Sequence, residues 1–350
     1  VNELSLYNRA YGALLGLAYG DAISFPALFH RTFQFPDKRR EFIWRTNRDL
    51  MRQRVIRLTL PFTHRLAPEI LEPFPTDDTE YAVFTAQTLI SSKGEPTLDH
   101  LVAAWERRIL PVADQVLTGF SERAAIDNLR RGLRPPATGN DNPQHYDDSA
   151  CPRAVAIGIF CTGRPEQAAQ LAALEAQITN AEEGIYAAQA MAVAIAHLVA
   201  NNDLVATLQA ARQYFPVASW LAHGDQLARN CLAEASGAQD LLLALSTRLI
   251  NTVYSYGNAA PETLPAAFVI AEACQGDLQQ AVLLANALPK SADSLPALVG
   301  ALCGAFQGAN TLSQRWQRQL NGCRGLCLPF VANVQLAQVA RDLLNKTGDG

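Results

Sequence analysis

Two short stretches constrain the fold of this chain more than any others: GALLGLAYGDA, beginning at Gly12, and GALCGAFQG, ending at Gly308. Gly12, Gly16 and Gly20 recur every four residues in the first, and Gly300, Gly304 and Gly308 do so in the second. A spacing of four keeps residues on one face of a helix, so each stretch presents a stripe without side chains. Glycine costs up to ~1 kcal/mol per helical position relative to alanine, so a repeated face of it needs a packing reason. That reason is close approach by another helix.

The remaining sequence agrees with a helical body. Helical apolar spacing or helix-forming composition marks segments near 6–22, 79–92, 98–109, 121–132, 165–176, 183–200, 203–213, 225–235, 238–255, 262–275, 278–287, 295–308, 312–320 and 332–345. VIRLTLPF, residues 55–62, is the best short extended candidate. No repeat period emerges, which argues against a solenoid. With 350 residues, 49% hydrophobic and 18% charged, the chain can bury a large core. The apolar-rich helices, such as that carrying AAQAMAVAIA before His197, are expected to fall short of the ~20 residues needed to span a bilayer, so no membrane partner is expected. The expected architecture is all-α, one compact domain over residues 1–350 with an irregular insertion at about residues 27–75.

That insertion is basic. Residues 31–65 hold ten Lys and Arg against Asp37, Glu41 and Asp49, a net charge of +7 in a chain whose total is −4. Such runs usually face water; a phosphate-contacting or nucleic-acid-contacting flap is the functional alternative. The segment lacks the aromatic interleaving of a base-stacking platform, which disfavours a nucleic-acid partner. Phe33, Phe35, Phe42 and Trp44 lie nearby and serve equally well as a hydrophobic anchor for the flap.

Seven cysteines, an odd number scattered through helical segments, do not form a disulfide framework, so reduced thiols and a cytoplasmic location are expected. Cys323 and Cys327, in CRGLC, do not have the two-residue gap of a zinc knuckle, and loop packing is the expected role. The first ten residues, VNELSLYNRA, lack a basic flank, an apolar core and a small-residue cleavage site, so no secretory leader is expected. The six histidines show no ligand spacing, and there is no phosphate-binding loop or dinucleotide fingerprint.

Thr76, Asp77, Asp78, Thr79 and Glu80 precede an apolar run, and two readings of them stand side by side. Thr76 can cap a helix whose first turn places Asp77, Asp78 and Glu80 where the macrodipole favours negative charge. The same carboxylates, ionised and preoriented at a helix start, can instead ligate a hard cation.

The ordered series GALLGLAYGDA, PTDDTEYA, SACPRAVAIGIF, ETLPAAFVIAEA, SADSLPALVGALCGAFQGA and RWQRQL resembles the ADP-ribosylglycohydrolase family over nearly the whole chain. The resemblance implies an all-α fold with a binuclear magnesium or manganese centre. It also implies hydrolysis of an N- or O-glycosidic bond at the anomeric carbon of an ADP-ribosyl or ribosyl group. The substrate would be a small molecule or an ADP-ribosylated protein.

On this resemblance Thr76, Asp77 and Asp78 match the first metal-binding motif, and Asp21 closes the first glycine motif on the substrate side. The second metal motif, Asp-Thr-Asp-Thr in the family, falls on Ser291, Ala292, Asp293 and Ser294, so one acid is missing and Lys290 adds a positive charge beside it. Magnesium wants near-octahedral oxygen coordination, so the loss makes one ion the better expectation than two. The resemblance thus implies Asp77, Asp78 and Asp293 as catalytic residues, joined by Thr76 and Ser294 as metal ligands. A Glu that the family carries shortly after its first glycine motif is replaced by Leu28 or a neighbour. The family's Thr-His becomes Thr179 and Asn180, and its phosphate-contacting Gly-Asn-Gly becomes Asp147, Asp148 and Ser149. Two carboxylates there would repel a pyrophosphate, with Arg153 expected to pair with one of them. An exposed acidic helix cap after a loop-like stretch is the plainer reading of that pair. Asp147, Asp148, Ser149, Asn180 and Asp21 are the substrate-binding candidates. A degenerate member that binds ADP-ribose or a nucleoside without turnover is the alternative, and an interaction module built on the basic insertion is the weakest of the three.

Overall fold

The computed structural model describes residues 3–24, 48, 52, 73–92, 96–250, 257–288 and 290–345. Most of the basic insertion, the extended candidate at 55–62, Leu28 and the four aromatics at 33–44 lie outside the described residues. The protein is all-α, as expected, and among the described residues it contains no strand. The principal helices are α1 (Glu3–Ile23), α2 (Asp77–Ser91), α3 (Leu98–Ala104), α4 (Phe120–Arg130), α5 (Ala150–Phe160), α6 (Pro165–Ala176) and α7 (Glu183–Asn201). They continue with α8 (Leu204–Arg212), α9 (Trp220–Glu234), α10 (Ala260–Ala273), α11 (Leu278–Asn286), α12 (Leu295–Gln307), α13 (Gln314–Leu320) and α14 (Leu336–Asn345).

The two glycine stripes turn out to face each other. Antiparallel α1 and α12 bring Gly12 against Gly304 and Gly308, Gly16 against Gly300, and Gly20 against Pro296. A Cβ on Gly16 would sit 2.8 Å from the Gly300 carbonyl carbon and closer still to its oxygen. The backbones touch, so the missing side chains are the contact itself.

Around this pair, α7 packs on α5 and α6, α5 packs on α2, and α10 packs on α9 and α12. Every residue of α5 is buried. That explains why periodicity gave no helix at 150–160: a helix apolar on all sides has no stripe to detect. Helix α7 corrects a second expectation. At 19 residues it is long and apolar enough to cross a bilayer, which the ten-residue run before His197 understated; 67% of its apolar window is buried among the other helices, as befits a core helix.

Glu80 is fully buried in the first turn of α2 and serves neither a cap nor the macrodipole alone. Its carboxylate accepts the backbone N–H groups of Gly325 and Leu326 on Oε1, at 2.7 and 3.0 Å, and of Cys327 and Leu328 on Oε2, at 2.9 and 2.8 Å. The CRGLC loop is thus pinned to α2, and its two thiols are buried and free. Glu80→Gln would set an amide NH2 against two of these donors. It should destabilise the fold by about 3 kcal/mol, because a buried donor left unmet costs its full desolvation. Urea melts and faster amide exchange at residues 325–328 would report it.

Candidate functional site

The helix starts of α2, α4 and α5 and the turn before α10 converge on one small cavity, of about 30 Å3, lined by Asp77, Asp78, Tyr81, Glu122, Asp147 and Asp148, with Gly119, Pro152, Asn258 and the substrate candidate Ser149 completing the wall. An isolated bridge between Asp147 and Ala259 ties the last two together, helped by Asp148 N–H donating to Asn258 O at 2.8 Å. The positive ends of several helix dipoles therefore face the same acids, which offsets part of their mutual repulsion.

Asp77 and Asp78 are partly exposed at the wall, and among the described residues no side chain donates a hydrogen bond to either. Burial lifts both well above the usual carboxylate range, followed by Asp293 for Asp77 and by Asp77 for Asp78. Asp148 is raised well above its ordinary value by burial and then by Asp147. Asp293 is raised by burial, against the hydrogen bond that Asn258 Nδ2 donates to its Oδ2 at 2.9 Å.

Asp21, a substrate candidate on sequence, does something else. Its Oδ2 accepts Thr76 N–H at 2.7 Å, Thr79 N–H at 3.2 Å and the Thr79 hydroxyl at 2.7 Å, while its Oδ1 accepts the Thr76 hydroxyl. It caps α2 from the end of α1. Thr76 makes no capping bond with its own side chain, so the cap expected of it is supplied by Asp21. Burial raises Asp21 to about 6 even against these donors.

Asn180 is likewise committed. Its Nδ2 donates to His145 O, to Asp147 O and to Asp147 Oδ1, at 3.1, 3.1 and 2.9 Å, and its Oδ1 accepts the Thr179 hydroxyl. It orients Asp147, whose Oδ1 also accepts Ser149 N–H at 3.2 Å. The Ser149 hydroxyl bonds Asn180 Oδ1 and accepts from Ser121. Ser294 donates to Asp148 Oδ2 at 2.5 Å, so this hydroxyl, like that of Thr76, stands behind an acid and does not line the cavity.

Three expectations need correction. Asp147 and Asp148 are each 1% exposed, which excludes the exposed-cap reading. Arg153 pairs with neither of them: fully buried, it donates from Nε to both Glu175 oxygens, at 2.8 and 3.0 Å, and from Nη1 to Glu122 Oε1 at 3.3 Å. The pairing follows from α5 geometry, which points Arg153 inward to α6 while the two aspartates precede the helix. Lys290 does not compete for the cation site either, since its Nζ binds Glu262 Oε2 at 3.0 Å.

Sequence reasoning missed Glu122, Tyr81 and Asn258. Tyr81 follows Asp77 by four residues and so shares its helix face, a signal that was available. Glu122 had none, because an acid in the first turn of a helix reads as ordinary dipole chemistry. Burial and then Asp147 push it up to about 7, with Arg153 pulling the other way.

The sequence profile of the ADP-ribosylglycohydrolase family matches residues 2–349. The chain belongs to that family. Among solved structures it is similar to an "ADP-ribosylglycohydrolase-related protein complex", at 20% identity and a TM-score of 0.62, covering 98% of this chain and 99% of that one. At that identity the likeness establishes the shared fold. No curated protein matches the chain. Membership of the ADP-ribosylglycohydrolases supports a glycohydrolase-type function, and members typically use divalent metals.

The residues present fit such a metal. Among the described residues no three acidic, His or Cys side chains close into a finished cage. Among the described residues no side chain donates a hydrogen bond to Asp77 or Asp78, Asp293 is close enough to raise both electrostatically, and oxygen donors suit magnesium or manganese.

Proposed function

We propose that this ADP-ribosylglycohydrolase cleaves an N- or O-glycosidic bond at the anomeric carbon of an ADP-ribosyl or ribosyl group with the help of magnesium or manganese. The observation that carries the reading is the pair Asp77 and Asp78 at the wall of an acid-lined cavity, to which no side chain among the described residues donates. With Asp293 they would hold the cation. When bound, such an ion supplies Lewis-acid polarisation and a water of lowered pKa.

The chain's own residues do the rest. Asp21 fixes the two aspartates by capping α2, and Ser294 and Asn258 orient Asp148 and Asp293. Glu122, at about 7, exchanges a proton near neutral pH. Arg153 holds its Oε1, and Oε2, met by the Ser121 hydroxyl at 3.3 Å, is the proton site. Asp147 and Asp148 disfavour a pyrophosphate at this point, which favours a ribosyl group whose phosphates, if any, lie elsewhere. The seven free thiols support a cytoplasmic setting.

The test is release of ribose or ADP-ribose from a ribosyl nucleoside and from an ADP-ribosylated protein, with and without manganese. Turnover should depend on metal and fall at least about a hundredfold in Asp77→Ala. Tight binding of ADP-ribose with no release by the wild type would favour a non-catalytic binder.

A further inference from the structure

A second cleft lies away from the acids. Helix α10 starts just after Asn258, at the acid-lined cavity, and runs for 14 residues, ~20 Å, to a cleft between the ends of α7, α10 and α12 and the flanks of α8 and α9. At about 930 Å3 it has room for a small organic molecule. The helical spacing of Val205, Gln209 and Arg212 turns one side of α8 towards it. Its charges are already paired with one another. Arg212 donates from Nε to Asp225 Oδ1 at 2.8 Å and from Nη1 to Glu272 Oε1 at 2.7 Å, and Arg229 Nε donates to Asp225 Oδ2 at 2.9 Å. Asp203, the remaining acid, caps α8 by accepting Ala206 N–H at 3.0 Å. Two cations against three acids leave no positive surplus for a phosphate, so the cleft suits a neutral ligand.

What stands unpaired here is neutral amide. Among the described residues the side chains of Asn202, Gln209 and Gln275, all lining the cleft, make no hydrogen bond within the protein. Each offers a donor beside an acceptor, the pattern that matches the edge of a purine base. Two of them hold left-handed positions that close α7 and α10, Asn202 at φ 54° and Gln275 at φ 53°. Asparagine is at home there, but glutamine is not. Glycine would be the ordinary residue at 275, so this side chain is kept against a backbone cost, which points to a use outside the helix. Phe306 supplies an apolar wall. Its ring closes over Gly276, at φ 76°, where a Cβ would stand 2.7 Å from Phe306 Cε1. An aromatic face beside free amides takes a flat ring that stacks and is hydrogen-bonded along its edge. Arg212 Nη2 meets no partner within the protein, and an acceptor such as a ribose oxygen is what it lacks.

We propose that this cleft binds a neutral purine nucleoside, its base against Phe306 and its edge read by the amides of Gln275, Gln209 and Asn202. The site is separate from the acid-lined cavity and does not rest on the metal-assisted reading. The full chain, stripped of metal and titrated with adenosine, should bind one molecule per chain by calorimetry, and adenosine monophosphate about tenfold more weakly. Gln275→Gly sets stability and binding against each other. It relieves the backbone at φ 53° while removing an amide, so the melting temperature should rise as adenosine affinity falls about tenfold. Gln209→Ala, at an exposed position of α8, should weaken adenosine to a similar degree without lowering the melting temperature. Asp77→Asn should leave adenosine binding unchanged. Loss of binding in Asp77→Asn would put the nucleoside in the acid-lined cavity and overturn the proposal. Unchanged affinity in both glutamine variants, monophosphate binding as tight as that of adenosine, or no binding at millimolar adenosine would each overturn it too, and all four outcomes leave the glycohydrolase reading standing.

Discussion

Gly16→Ala should cost the protein about 3 kcal/mol or more, enough to leave much of it unfolded at physiological temperature. The added methyl meets backbone, not side chain: the Gly300 carbonyl on one side and the Gly304 Cα at 3.2 Å on the other. Side chains can change rotamer to admit a methyl, but a helix backbone can give way only by moving the whole helix. Separating α1 from α12 would open the same gap at Gly12 and Gly20, so the cost is shared along the stripe. Gly237 is the control, because a Cβ there meets nothing within 4 Å and its φ of 176° is extended backbone. Gly237→Ala should lie within about 0.5 kcal/mol of wild type. Urea denaturation of the two variants side by side measures the contrast, and equal midpoints would refute the account of the glycine stripe.

Without metal, stability should fall as pH rises from about 4.5 to 7, and millimolar manganese should reverse the trend. The acids set the sign. Glu122 goes from an ordinary 4.5 to about 7 and Asp21 from 3.8 to about 6, in both cases chiefly through burial, and Asp77, Asp78 and Asp148 move the same way. A carboxyl raised in the folded state holds its proton there while the unfolded chain has already released it. The folded state thus binds more protons across this window, and its advantage is lost as pH rises through it. Glu122 alone contributes on the order of 3 kcal/mol to the slope. A cation that binds the ionised acids reverses it, adding about 2.7 kcal/mol at a hundred times its dissociation constant. Asp77→Asn should remove the manganese response and flatten part of the metal-free slope. Melting temperatures from pH 4.5 to 8, with and without manganese, decide it; a stability that climbs with pH in the metal-free protein would show that the acids are not crowded as described.

The helical architecture was legible because helix periodicity and glycine spacing are local properties. The stripes told that helices approach closely, and the structure adds that they approach each other, which no local pattern carries. Helix α5 was hidden for the opposite reason: burial on all sides erased its period. At the site, Asp77, Asp78, Asp148 and Asp293 were named from motifs, and the structure places them around one another. Their partners could not be read. That Asp21 caps a helix starting 56 residues later, that Asn180 serves Asp147, and that Arg153 turns to Glu175 are facts of long-range geometry. A charge in a sequence announces itself without saying which opposite charge or donor the fold will bring to it.

The contact of α1 with α12 also sets a timetable for synthesis. Helix α1 leaves the ribosome well before residues 296–308 and must wait for them before its bare face finds cover. At 5–20 residues per second that is roughly 15 to 60 s of exposure. The contact spans nearly the whole chain, so loop closure has to be met before it returns any stabilisation, and its docking is the natural late step of folding. Until then Asp21 has no fixed helix from which to cap α2. The acidic cavity therefore assembles only once α12 has been made, and a nascent chain stalled short of α12 carries every acid of α2 without a site to put them in.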